Sequence, residues 1–226
     1  MKNILLSYYI DNNSPYYLGT IQPSITPNNQ INEGDDYNTY ILRVENHCGT
    51  HVDAPKHFID SGKGISDYHI MELTFKHPLI LECQKGPGEL ITLDEVPKTK
   101  LDGFDCILFK TGFGKYRDKE RNKYLTQNPG ISPETVHLLR QKHQNIKCLG
   151  IDCISISRYG EDEIAKKTHL TAFKEDKKYG DPLLLIEDMK LHEVSPIVKN
   201  IGSVIVVPWQ IKGIDSAPCT VIANLK

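Results

Sequence analysis

No run in this sequence is long and apolar enough to cross a bilayer. Its longest apolar stretches, "SVIVVPW" and "PLLLI", are strand-sized, against the ~20 residues a spanning helix needs. Neither sign of charge is in excess: 27 Lys+Arg against 29 Asp+Glu leave a net charge of −2. That balance gives no electrostatic reason to bind nucleic acid or an anionic membrane. Cysteine occurs six times, at Cys48, Cys83, Cys106, Cys148, Cys153 and Cys219, and never as a C-x2-C pair. A disulfide framework is not implied, and the thiols read as small core residues. The opening "MKNILLSYYIDNN" has no small-residue cleavage site and soon meets Asp11, so it reads as a first strand rather than a signal peptide. The expectation is a cytoplasmic protein.

What the chain does have is a series of short β-rich runs. They are "ILLSYYI", "TYILRVENH", "HPLILEC", "FDCILFK", "IKCLGIDCISI", "PLLLIED", "GSVIVVPW" and "CTVIAN", each bounded by Gly, Pro, Asn or Asp. Several are continuously hydrophobic, as strands buried on both faces are. One helix is signalled at "SPETVHLLRQKHQN": Ser132 suits the N-cap, Pro133 the first helical position, and basic residues fill the last turns. A shorter helix is expected near Thr92, in "TLDEV". The charged segment "GKYRDKERNKYLTQ" reads as a solvated helix or loop. With no repeat, low-complexity tract or linker, residues 1–226 read as a single α/β domain.

Histidine is unevenly spread. Of nine in the chain, three fall with Asp53 inside "NHCGTHVDAPKHF": His47, His51 and His57. The spacings are four, two and four, all even, and residues an even number apart share a face of an extended strand. Gly49 and Pro55 argue against a helix here, and Pro55 pushes Ala54 towards extended geometry. The expected picture is a strand, continuing from "TYILRVENH", that ends in a tight extended loop. His47, His51 and Asp53 would then converge, with His57 folding back towards them and Cys48 pointing away. Neutral imidazoles plus a carboxylate suit zinc, manganese or ferrous iron. The lack of thiolates favours a site with open positions, where a metal acidifies water and polarises a carbonyl. A structural reading, with each histidine merely hydrogen-bonded in a core, explains one such residue better than four at shared-face spacing.

The string "HCGTHVDAPKHF" resembles the H-x-G-T-H-x-D-x-P-x-H-F signature of the cyclase-like metal-dependent hydrolase family, which includes bacterial kynurenine formamidases and isatin hydrolases. "ILFKTGFG", "NPGISPETVHLL", "LGIDCISIS" and "GIDSAPCTVIA" resemble further segments of that family. The resemblance implies a mixed, barrel-like central β-sheet flanked by helices, of the swivelling β/α/β type. It also implies a longer ligand set. His169 in "THLTAF" and Glu187 in "LLLIEDMKL" match the family's later His and Glu. His47, His51 and Asp53 would hold one divalent ion, zinc or manganese. Asp53 would bridge to a second ion held with His169 and Glu187, and His57 would be the acid/base residue beside it. One ion or two, and base or ligand for His57, stay open. Two positions depart from the pattern: Leu5 stands where the family often has Asp, and Thr220 where it has Arg.

The function so implied is hydrolysis of a small amide, an arylformamide or a cyclic amide, in a homodimer or homotetramer acting on a small-molecule substrate. Two alternatives share the residues: a metal-dependent lyase or cyclase on a small carbonyl compound, and a non-catalytic metal-binding module. His69, His77, His137, His143 and His192 lack comparable spacing and are assigned no chemistry. Tyr16, Tyr17, Phe58, Phe113 and Trp209 are pocket candidates by chemical type alone.

Overall fold

The structure is a computed structural model that describes residues 2–96, 101–192, 194 and 201–226. Its strands are β1 (Lys2–Leu5), β2 (Ser24–Asn29), β3 (Thr39–Arg43), β4 (His51–Asp53), β5 (Thr74–Phe75), β6 (Pro78–Glu82) and β7 (Leu90–Ile91). They continue with β8 (Cys106–Lys110), β9 (Gly130–Ile131), β10 (Cys148–Ile151), β11 (Leu184–Glu187), β12 (Ile201–Pro208) and β13 (Ser216–Leu225). The α-helices are α1 (Arg121–Thr126), α2 (Pro133–Lys142) and α3 (Asp162–Phe173). Each of the eight apolar runs overlaps one of these strands.

The main sheet runs β5-β12-β13-β4-β11-β10-β8-β6, and β1 also pairs with β13. It is mixed: β6, β8, β10 and β11 are parallel neighbours, while β4 lies antiparallel to both β11 and β13. β13 is long enough to pair β4 with its first residues and β1 with its last. The two ends of the path, β5 and β6, are separated in the chain only by Lys76 and His77. The sheet therefore curls until its ends nearly meet, as a barrel-like sheet with few helices, and β12 packs on β6.

Both faces of this sheet are buried, which explains the unbroken apolar runs. Cys106, Leu108, Cys148, Leu184, Ile186, Val52 and Val221 point into the barrel. The alternate residues Ile107, Phe109, Leu149, Ile151 and Leu185 point outwards onto a second core, where Val136, Leu139, Ala172 and Phe173 of α2 and α3 cover them. All six cysteines are free and buried. In α2 the Ser132 hydroxyl accepts the Thr135 amide at 3.1 Å and Pro133 follows, as the sequence signals. Near Thr92 the structure has a 3₁₀ turn, Leu93–Glu95.

Two expectations are corrected, and one helix is additional to them. β3 stops at Arg43 and pairs with β2 in a separate, largely exposed hairpin, so His47 sits in a turn and not on a continuing strand. The charged segment 114–127 is not simply solvated: Arg117 and Tyr124 are buried, because a buried carboxylate receives both. α3, which carries His169, was not signalled by any apolar run.

Candidate metal centre

Strand register brings the first two donors together. In β4, His51 and Asp53 share a face, and Val52 between them enters the barrel core. β11 lies antiparallel with Glu187 directly opposite His51 and Leu185 opposite Asp53. Leu185 belongs to the helix-covered core, so the donors lie on that outer face, beneath α3. Gly49 takes a left-handed φ of 66°, which turns the chain from His47 back into β4. Ala54 is extended, at φ −108° and ψ 166°, and Pro55 then opens a 3₁₀ turn that carries His57 back over the site.

All five expected ligands converge. His47 Nδ1 lies 3.1 Å from Asp53 Oδ1, and His51 Nε2 lies 3.5 Å from Asp53 Oδ1 and 3.3 Å from Glu187 Oε2. His169, one face of α3, places Nε2 3.4 Å from Glu187 Oε1. Three overlapping donor triplets each have their ligand atoms within 4.8 Å of one another: His47, His51 and Asp53; Asp53, His57 and His169; and His47, His57 and Asp215. Asp53 is common to the first two. His57 stands in the second triplet, as a base or a ligand would.

The hydrogen bonds set the imidazole tautomers. His51 Nδ1 donates to the Gly49 carbonyl at 2.8 Å, and His169 Nδ1 to the Ala165 carbonyl at 2.8 Å. His47 Nε2 donates to Asp215 Oδ2 at 3.0 Å. Each ring spends one nitrogen on an oxygen acceptor and turns the other towards a carboxylate. His51 Nε2 and both oxygens of Asp53 are buried with no hydrogen-bond partner. Lone pairs facing carboxylate oxygens in a buried site need a positive charge between them, so the donor set fits a divalent cation.

The same demand appears in the proton affinities. Burial disfavours the charged form of His47, but the Asp53 and Asp215 carboxylates outweigh it and push its pKa up to about 11. His51 and His169 are likewise raised against burial, by Asp53 and Glu187 for the first and by Glu187 for the second. Burial acts to raise Glu187, yet His169 and His51 bring it down to about 2. Asp53 is held well below the usual carboxylate range by His51 and His47 despite its burial.

Asp215 is the site residue that sequence reasoning missed. Its Oδ2 also accepts His57 Nδ1 at 2.8 Å, and its Oδ1 accepts the Asn46 side-chain amide at 2.8 Å. Its signal lay in "GIDSAPC", beside β13, but nothing local connects that segment to residue 47. Glu187 Oε1 is also held, by the Ile156 amide at 2.6 Å and the Ser155 hydroxyl at 3.1 Å. Phe58 stacks on the His169 ring at 4.6 Å between centroids. The centre opens into a cleft of 420 Å³ lined by Tyr17, Glu45, Phe58, Ser155, Ser157 and Lys166 beside the donors. Of the aromatic candidates only Tyr17 and Phe58 line it, and Phe113 is a core residue. Neither Leu5, exposed at the end of β1, nor Thr220, exposed on β13, lines the cleft.

The chain belongs to the cyclase family, described as "Putative cyclase", whose model matches residues 4–158. That span includes His47–Phe58 and stops short of His169 and Glu187. The chain is 30% identical over 180 residues to an uncharacterized protein of Methanocaldococcus jannaschii, covering 79% of this chain and 78% of that one. It is 27% identical over 199 residues to the kynurenine formamidase of Geobacillus thermodenitrificans, covering 84% and 83%. Isatin hydrolase A from Labrenzia aggregata shares the fold, with a TM-score of 0.79 at 16% identity, over 98% of this chain and 93% of that one. No helix among the described residues is long and apolar enough to cross a membrane.

Proposed function

We propose that this protein is a metal-dependent hydrolase that opens the amide bond of a small molecule, an arylformamide or a cyclic amide. The observation that carries the reading is the set of buried donors without hydrogen-bond partners, His51 Nε2 and the two Asp53 oxygens, at the floor of an open cleft. Membership of the cyclase family and the likeness to a kynurenine formamidase support the hydrolase class. His47, His51, Asp53, His169 and Glu187 would hold one or two ions, zinc or manganese. A bound divalent cation supplies Lewis acidity, polarising a carbonyl and lowering the pKa of water.

The chain's own residues supply the rest. His57 Nδ1 is committed to Asp215, so its Nε2 is the nitrogen available to the cleft. In that tautomer Nε2 takes a proton from attacking water and returns it to the leaving nitrogen. Tyr17 and Phe58 offer aromatic surface to a planar acyl or aryl group, and a cleft of 420 Å³ suits a small substrate. We further propose a homo-oligomer, because the β2–β3 hairpin exposes Tyr40, Ile41 and Leu42 together, each more than half exposed.

The test is a panel of arylformamides, cyclic amides and esters given to the zinc- or manganese-loaded protein in ¹⁸O water. Metal-dependent turnover with label in the acid product is expected. Turnover without label would indicate a lyase or cyclase. No turnover across the panel would count against an enzyme.

A further inference from the structure

Behind the donor cluster lies a buried ion pair that the reaction above does not use. Asp188 directly follows Glu187 and is fully buried. Arg117 Nε and Nη2 each reach one of its carboxylate oxygens at 2.7 Å, and the Tyr124 hydroxyl donates to Oδ1 at 2.5 Å. The Tyr8 ring covers the guanidinium, 3.8 Å from its centre. The backbone of Asp188 is gripped as well. Its carbonyl accepts the Thr50 hydroxyl at 2.6 Å, and its amide donates to the Cys153 carbonyl at 2.7 Å. Among the described residues Asp188 is the non-glycine residue with a positive φ, 51°.

These facts belong together. The left-handed region is disfavoured for a residue with a side chain, less so for Asp than for most, and it persists where the surroundings over-determine it. A buried ion pair is weak evidence for stability, since desolvation offsets most of its attraction. Here the pair pins the residue that ends β11 and so fixes the direction in which Glu187 leaves its strand. Thr50, which bonds the same residue, is the neighbour of His51. One peg thus references both His51 and Glu187, whose donor atoms stand 3.3 Å apart.

We propose that Arg117 and Asp188 are positioning residues for the metal centre: their buried pair holds Asp188 left-handed and thereby sets how tightly the Glu187 side of the site grips a cation. The inference rests on the metal-centre reading above. Its test is zinc binding, by competition with a chromophoric chelator and by stoichiometry from mass spectrometry. Four proteins are compared: wild type, Glu187→Gln, the neutral double variant Arg117→Met/Asp188→Leu, whose leucine neither pairs nor favours the left-handed region, and that double variant combined with Glu187→Gln. Circular dichroism of the metal-free forms controls for folding.

The double variant should remain folded and bind zinc about 10-fold or more weakly, as supporting residues around metal ligands commonly do when removed. Added to Glu187→Gln, it should cost less than it costs the wild type, because both changes act chiefly through one carboxylate. The conservative Tyr124→Phe, which removes one bond to Asp188, should shift affinity the same way by about 5-fold, and it decides the matter if the double variant does not fold. Wild-type zinc affinity in the folded double variant, or in Tyr124→Phe when the double variant does not fold, overturns the proposal. So does a cost that simply adds to that of Glu187→Gln. Wild-type affinity in Glu187→Gln itself would instead overturn the metal assignment of Glu187, and the positioning role with it.

Discussion

Asp215 holds His57 through one oxygen: Oδ2 accepts the Nδ1 proton at 2.8 Å, and the same oxygen accepts from His47 at 3.0 Å. A proposed ligand and the proposed acid/base residue therefore share one anchor. Converting Asp215 to Asn keeps an acceptor but loses the charge that favours this tautomer. Asp215→Asn should lower kcat by about 10- to 100-fold, with KM little changed, measured by steady-state kinetics on the metal-loaded protein.

His57→Ala separates base from ligand. The expected outcome is unchanged metal content with kcat reduced by about 10²- to 10⁴-fold, the usual worth of general acid–base assistance. Metal loss with activity restored by excess zinc would make His57 a ligand instead.

Asp53 stands in two of the three donor triplets and is buried. Asp53→Asn should remove metal and activity together, read by inductively coupled plasma mass spectrometry beside the assay. Wild-type metal content in this variant would contradict its bridging role.

The pH behaviour follows from the signs. In the metal-free protein His47 has its pKa raised from 6.5 to about 11. Its stabilising pairing is fully present below 6.5 and is lost as pH rises through about 11. Glu187, lowered from 4.5 to about 2, contributes above 4.5 and loses that contribution as pH falls through about 2. At pH 7 the metal-free cluster therefore carries protons that a cation must displace. Zinc binding should release at least about one proton per ion and tighten with rising pH. Calorimetry in buffers of different ionisation enthalpy measures that release, and a buffer-independent heat would contradict it.

For the proposed homo-oligomer, charge placed on the hairpin should prevent self-association. Tyr40→Glu combined with Leu42→Lys is expected to lower the sedimenting mass without unfolding the chain. An unchanged mass would place the interface elsewhere.

Much of the fold was legible because both faces of the sheet are buried. Residues such as Ile107, Leu108 and Phe109 then form an unbroken apolar run that local reading recognises. The donors between His47 and His57 were legible because they crowd one short stretch, whereas His169 and Glu187 entered only through the family resemblance. Other features had no local signal. His47 reaches its neighbours through a turn made by Gly49, not along a strand. Arg117 looks solvated among Lys115, Asp118 and Lys119, and its burial depends on Asp188, far off in sequence. Asp215 meets His47 only after β13 has paired with β4. Parity arguments along one strand cannot see a partner supplied by another.

The antiparallel pairing that sets His51 opposite Glu187 also guards assembly. Sliding β4 by a single residue would swing His51 and Asp53 into the oily interior and bring Val52 out to face the substrate. A mis-threaded chain would be chemically mute as well as poorly packed, so turnover in this protein certifies that its barrel has been wound correctly.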